Sequence, residues 1–307
     1  MNLNIYTKKP NNYFSREFLK EAGRFLFKKA RGPQAVNESL IRGLKELNQP
    51  FFVNKKSPKL DGSETFFINT SLDALKWAIK LKKAGKIKKL IAGPNLVVMP
   101  NHFNSIILSS EIDIILLSSE WPLRMWVNFG FKLDKKVIIW PAGVADVYNN
   151  KKLKNKIILY KKNIPEDIYL MTKKTLNNLK INYQEIIYGK FSREEYFSLL
   201  DEAKYMIYLQ ISESQGLSLL EAWMKNVPTF IFNYGYLEIE GKRIIGEDIS
   251  APYLINDCGE FFRTEDDLKN IIKGFNTEEK RYNPREYFIQ NFTDKICAEK
   301  FLNIINL

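Results

Sequence analysis

Short apolar runs alternate with longer amphipathic stretches along this chain, and that alternation restricts its fold more than any other feature. Strand-like runs fall at 3–6, 51–53, 66–68, 89–92, 113–117 and 137–140 in the first half, and at 157–160, 184–187, 205–209 and 228–232 in the second. Helical patterns lie between them, at 34–47 and 71–84, then at 166–180, 193–203, 217–226, 265–275 and 293–305. Strands separated by helical stretches predict an α/β fold built on parallel sheets with crossover helices. A chain of 307 residues accommodates two domains of ordinary size. The polar stretch Tyr148-Asn149-Asn150-Lys151-Lys152-Leu153 supplies the expected boundary, giving domains 1–153 and 154–307.

The segment from Ile207 to Trp223 carries the most chemistry. It reads as a buried strand, a short polar loop holding Glu213, the single glycine Gly216, and a helix holding Glu221. Ligands of open α/β sheets bind beyond the carboxyl ends of the strands, at such a strand-to-helix crossing. Eight helical steps of roughly 100° would leave the two glutamates about 80° apart, off any common stripe. Glu213 is therefore expected on the loop and Glu221 in the second helical turn, leaning back toward the helix start. Both carboxylates can then flank a ligand at the helix N-terminus, where free N–H groups favour anions and a glycine admits a phosphate close to the backbone.

Glu213 and Glu221 resemble the paired-glutamate motif of retaining GT-B glycosyltransferases, and Asn226-Val227-Pro228-Thr229 looks like the strand start that follows it. Ser118-Ser119-Glu120-Trp121 is similar to the segment before the domain linker, and Trp140-Pro141-Ala142-Gly143-Val144-Ala145-Asp146 to the hinge strand and turn. Leu159-Tyr160-Lys161-Lys162 resembles the first strand of the second domain with its diphosphate-binding cation. Ser250-Ala251-Pro252-Tyr253-Leu254 and Pro284-Arg285 resemble later elements of polysaccharide-building members. The likeness covers residues 100–305 and rests on the set, in order and spacing.

The resemblance implies a GT-B fold, two Rossmann-like domains with parallel sheets facing across a cleft, the last helix crossing back onto the first domain. It implies transfer of a sugar from a nucleotide-diphosphate donor to a glycan or lipid-linked acceptor, with no cofactor and no metal. In that scheme Lys161 or Lys162 and the backbone N–H groups of Gly216 and Leu217 receive the diphosphate. Glu213 faces the transferred sugar, Glu221 accepts from the ribose hydroxyls, and Phe191, in Tyr188-Gly189-Lys190-Phe191, packs on the nucleobase. His102, the sole histidine, takes the place of a first-domain histidine near the transferred sugar. Ser214 and Gln215 count as donor-side positions but depart from the commoner pattern, in which a glycine and an aromatic follow the first glutamate.

Each assignment has a plainer counterpart. Glu221 is spaced for an exposed i,i+4 ion pair with Lys225, worth a few tenths of a kcal/mol. A lysine at a strand end is ordinarily a solvated charge, an aromatic at a loop start ordinarily core, and a lone loop histidine ordinarily a structural one. Glu111-Ile112-Asp113 has the spacing of a metal-binding pair but runs straight into the apolar strand behind it.

Two cysteines and one histidine leave little material for a zinc site, a disulfide framework or a Cys–His nucleophile. The chain has no Walker A loop, no Gly-x-Gly-x-x-Gly after its first strand and no Gly-x-Ser-x-Gly elbow. Lys8, Lys9 and Pro10 interrupt the start before any signal-peptide core forms, and no run approaches the roughly 18 apolar residues of a membrane span. The expected location is cytoplasmic.

The net charge of +12 is uneven: residues 1–153 hold 26 Lys and Arg against 12 Asp and Glu, and the remainder 21 against 23. Such asymmetry points to a polyanionic partner or an anionic membrane surface; a chain that fills its solvent positions with lysine shows the same excess. Residues 11–31 and 71–89 both mix basic with bulky apolar side chains. That pattern suits peripheral contact with a membrane interface, and equally a core-facing helix with a solvated lysine face. Two rivals remain at this level. A GT-B-fold epimerase calls for more cleft histidines than one. A basic protein holding an anionic glycan or nucleic acid leaves the glutamate pair without a purpose, so nucleic acid is the weaker expectation.

Overall fold

The computed structural model describes residues 2–10, 32–132, 136–149 and 152–307. The amphipathic stretch 11–31 lies outside the described residues. The chain forms two compact units. One comprises 1–143 with 294–307, the other 144–293.

The first unit is a six-stranded parallel sheet: β1 Leu3–Tyr6, β2 Phe51–Val53, β3 Thr65–Ile68, β4 Lys89–Ala92, β5 Ile114–Leu117 and β6 Lys136–Ile139, in the order β2-β1-β3-β4-β5-β6. β1, β3 and β5 are buried at every position, as strands covered on both faces must be. Helices α1 Gly32–Glu46, α2 Leu72–Lys83 and α3 Glu120–Asn128 supply the crossovers. Ser71 caps α2 by accepting from the Ala74 N–H at 3.1 Å. Trp140, fully buried, donates its indole N–H to the Cys297 carbonyl at 2.9 Å and tilts against Phe301.

Cys297 and Phe301 belong to the closing helix, Asp294–Ile305, which packs on α1 within this unit. The crossing is close because Gly43 has no side chain; a Cβ there would stand 2.1 Å from the Asp294 carbonyl oxygen. Arg42 anchors the start of the closing helix through Nε to Asp294 Oδ2 at 2.6 Å, the Asp294 side chain being 6% exposed. Arg42→Ala strands that carboxylate, and an expected cost of about 2–3 kcal/mol follows, discounted because Arg42 itself reaches solvent. Urea unfolding checks this, and a midpoint unchanged from the parent would refute it.

The second unit is a five-stranded parallel sheet: β7 Lys156–Lys161, β8 Gln184–Ile187, β9 Ala203–Leu209, β10 Thr229–Phe232 and β13 Gly259–Phe262, in the order β13-β10-β9-β7-β8. Its helices are α4 Glu166–Asn178, α5 Arg193–Glu202, α6 Leu217–Met224, α7 Glu265–Asn276 and α8 Pro284–Asn291, so the closing helix is α9. A separate antiparallel hairpin, β11 Tyr236–Ile239 with β12 Lys242–Ile245, rises between β10 and β13. The segments by which the chain enters and leaves this unit run side by side: the Val144 N–H donates to the Phe292 carbonyl at 2.9 Å, and Val144 bridges Thr293. Asp146 and Arg285 form a two-pronged pair at 2.9 and 3.0 Å. That pair holds the Asp146 carboxyl below its ordinary range.

Both sheets are parallel with helical crossovers, so each unit is Rossmann-like, as the sequence pattern predicts. Among the described residues no helix is long and apolar enough to cross a membrane.

Candidate active site

The strand order of the second unit dictates where its chemistry lies. β7 leads outward to β8 on one side, while β9 leads to β10 and β13 on the other, so the order reverses between the neighbours β7 and β9. That reversal is a topological switch point, whose carboxyl-end crevice is the ligand site of open α/β sheets. Lys162 follows β7 directly, and the loop that holds Glu213 follows β9.

The two meet: Lys162 Nζ lies 2.5 Å from Glu213 Oε1. Lys161 does not join them. Strand alternation sends it to the other face, where its ammonium lies 2.7 Å from Glu166 and 3.6 Å above the Tyr169 ring.

Glu213 is 9% exposed. Its backbone is fixed by donation of its N–H to the Ile249 carbonyl at 2.8 Å. The same Oε1 atom also accepts from the hydroxyl of Tyr208, at 2.7 Å. Tyr208 is fully buried in β9, and its oxygen lies 2.9 Å from Ser218 Oγ on α6. Burial, and then the neighbouring Glu213 charge, raises the Tyr208 phenol well above its ordinary value, so it stays protonated and donates.

Gly216 caps α6 at φ 63°, ψ 36°, a left-handed conformation that glycine adopts without strain. The first amides of a helix have no carbonyl inside it to bond, and a helix start of this kind is electrostatically suited to an anion. Ser214 is exposed, whereas Gln215 is buried beside Gly216.

Glu221 stands in the second turn of α6, and its partner differs from the i,i+4 pair its spacing suggests. Arg193 Nη2, at the start of α5, reaches Glu221 Oε1 at 2.9 Å. Lys225 instead turns inward, 5% exposed, to Asp201 at 2.7 Å and to the Val147 carbonyl at 2.7 Å. The physical reason is that α6 ends at Met224, leaving Lys225 at the cap. Arg193 stacks 4.9 Å from the Phe197 ring and lines a cavity of about 260 Å³ with Ala145, Val147, Glu194 and Phe197. Ser192 and Glu195 form a reciprocal capping box that sets the first turn of α5 and with it Arg193.

Phe191 lies at the margin of the core, its ring edge-on to Tyr160 and tilted against Tyr196. His102 belongs to the first unit, half-buried at the start of the short helical turn His102–Ser105 that follows β4. Phe103, Asn104 and Ser105 follow it at φ 54°, 58° and 53°, a left-handed run costing about 1–2 kcal/mol per residue. The Glu111-Ile112-Asp113 pair is occupied structurally. Glu111 accepts from Ser109 and Ser110, while Asp113 accepts from the Leu90 N–H and pairs with Lys82. Among the described residues no group of three or more His, Cys, Asp or Glu could hold a metal ion.

Sequence reasoning missed Arg193 and Tyr208. The signal for the first was the Ser192–Glu195 cap; nothing in the sequence separates Tyr208 from an ordinary core residue.

No family model matches the chain, and no curated protein matches it by sequence. Solved structures match its fold. The lipopolysaccharide outer core galactosyltransferase WaaB superposes with a TM-score of 0.55 at 13% identity, over 99% of each chain. AviGT4, a glycosyltransferase involved in avilamycin A biosynthesis, matches at 0.55 and 11%, over 99% of this chain and 96% of its own. TarM matches at 0.55 and 15%, over 89% of this chain and 58% of its own. The fold is therefore that of GT-B proteins.

Proposed function

We propose that this chain is a glycosyltransferase that moves a sugar from a nucleotide-diphosphate donor to a glycan or glycolipid acceptor, retaining the anomeric configuration and using no metal. One observation carries the reading: Lys162 and Glu213 meet at the switch point of the second unit's sheet, on the loop that leads into the glycine-started helix carrying Glu221. A departing nucleotide diphosphate carries two or more negative charges, and a cation beside a helix N-terminus is built to stabilise them. The GT-B neighbours add support, since TarM was solved with UDP and alpha-GlcNAc-glycerol and GtfA with UDP and GlcNAc.

In this scheme Lys162 and the first amides of α6 take the diphosphate, and Glu221 takes the ribose hydroxyls while Arg193 keeps it oriented. Glu213 faces the transferred sugar, where positive charge grows at the anomeric carbon. The acceptor hydroxyl attacks that carbon as its bond to the phosphate oxygen breaks, and the hydroxyl proton passes to the departing oxygen. The acceptor belongs to the basic first unit, where Lys76, Lys80, Lys83, Lys86 and Lys88 are exposed on and just beyond α2.

A thermal-shift screen against UDP-, GDP-, ADP- and TDP-sugars, with and without EDTA, tests the reading. Stabilisation by one nucleotide family that survives EDTA is the expected result, because a ligand of the folded state alone raises apparent stability. No shift at saturating donor would sink it. Glu221→Ala is expected to weaken donor binding about tenfold or more, as loss of hydrogen bonds to a charged group does. Unchanged donor affinity in a folded variant would remove the ribose assignment.

A further inference from the structure

We infer that Tyr208, set by Ser218, is the positioning residue that holds the Glu213 carboxylate during turnover. The inference rests on the transferase reading and goes one step inside it.

The proton arrangement follows from chemistry alone. A carboxylate only accepts, so the 2.7 Å contact makes the Tyr208 hydroxyl the donor to Glu213 Oε1. With its one proton committed there, the phenol oxygen can only accept across the 2.9 Å contact to Ser218, so Ser218 Oγ–H donates to Tyr208. Proton order is thus fixed from α6 through β9 to the loop: Ser218 to Tyr208 to Glu213.

The surroundings hold that order in place. The Tyr208 ring lies stacked on Tyr160, centroids 4.7 Å apart and planes at 22°. Tyr196, buried below, donates to the Ser218 carbonyl at 2.7 Å and so pins the helix turn that carries the serine. Tyr208 has no exposure to solvent, so water does not compete for its proton.

Lys162 approaches the same oxygen, Oε1, from the strand β7 side. If Lys162 serves the diphosphate, it cannot also neutralise Glu213 at full strength once the donor is bound. Tyr208 is sequestered behind the carboxylate and has no second anion to serve. It is the donor that stays, keeping Glu213 in one rotamer when the ammonium turns to the phosphates. Tyr208 acts through Glu213 and touches no substrate.

The two roles separate by kinetics. Tyr208→Phe keeps the buried ring and deletes only the donor. Its kcat is expected to fall about 10- to 100-fold with donor KM within twofold of the parent, in line with loss of a hydrogen bond to a charged group. Ser218→Ala is expected to lower kcat about 2- to 5-fold, and the double variant to fall short of the product of the two losses, since Ser218, which also neighbours the Tyr160 hydroxyl, reaches Glu213 through Tyr208. Lys162→Met, by contrast, is expected to raise donor KM. A Tyr208→Phe enzyme with kcat within twofold of an active parent overturns the inference alone, as does a multiplicative double variant. A parent inactive with every nucleotide sugar overturns the transferase reading and this inference with it. Should Tyr208→Phe fail to fold, Ser218→Ala decides: its kcat falls at constant KM if Ser218 sets Tyr208, and an unchanged kcat refutes it.

Discussion

Glu213→Gln is expected to lower kcat by roughly 10²- to 10³-fold, the range seen when one preorganised electrostatic group is removed from a transition state. The substitution preserves size and still offers an oxygen to Tyr208, so the fold and the loop should survive. On the proposed transferase reading, what disappears is the negative charge that would face the anomeric carbon as positive charge develops there. Donor affinity should move the other way. In the parent, Lys162 lies 2.5 Å from Glu213, and that pairing opposes its transfer to an incoming diphosphate. With an amide at 213 the ammonium has no such competitor, and the donor Kd is expected to stay equal or tighten. Calorimetric titration of the donor beside steady-state turnover reads both quantities. Loss of affinity in step with loss of rate would mean that Glu213 holds ground-state substrate; retention of kcat within threefold would remove it from the chemistry.

The sheets were legible because parallel strands buried on both faces leave unbroken apolar runs, and the expected strand and helix positions fall within a few residues of those observed. Polar strand ends escaped: β3 begins at Thr65 and β6 at Lys136, neither of which extends an apolar pattern. The hairpin of β11 and β12 escaped because it stands outside the strand–helix alternation, and α8 because its eight residues present no apolar stripe. Also not expected were β13, four residues opening on Gly259 and Glu260, and the nine-residue α3, with Pro122 in its first turn. The glutamate loop was readable from a local string: buried strand, polar loop, glycine, helix. Its partners were not local. Arg193 lies 28 positions before Glu221, and Lys162 lies 51 before Glu213. Choosing between Lys161 and Lys162 needed the exact end of β7, since one residue flips the face. Tyr208 hid in a strand whose neighbours are all core, and only the distance to Glu213 Oε1 distinguishes it from them.

Gly259→Ala is expected to destabilise the second unit by about 4 kcal/mol or more, at the upper end of single-substitution effects. Gly259 opens β13 at φ +147°, pairing with Thr229 of β10. A Cβ there would stand 1.8 Å from the Thr229 carbonyl oxygen and 2.7 Å from its carbon. These atoms are backbone, so no side-chain rotation relieves the clash. Thr229 cannot retreat, because its N–H donates to the Cys258 carbonyl at 2.9 Å and its hydroxyl accepts from the Trp223 indole at 3.1 Å. Trp223, Thr229 and Cys258 are all fully buried, so a shift of β10 would open the core beneath α6, the helix that carries Glu221. β13 must instead leave its edge of the sheet, stripping cover from Phe230 and Phe232. Gly241, in the hairpin turn at φ +75°, has nothing within 4 Å of where a Cβ would stand and serves as the control. Gly241→Asn, a residue that tolerates left-handed backbone, is expected to cost under about 1 kcal/mol. Urea unfolding combined with limited proteolysis separates the units: the first, with its own core, should resist cleavage while 144–293 is digested in Gly259→Ala. A Gly259→Ala chain that unfolds at the parent's urea midpoint would show that β13 is dispensable to the sheet that seats the site.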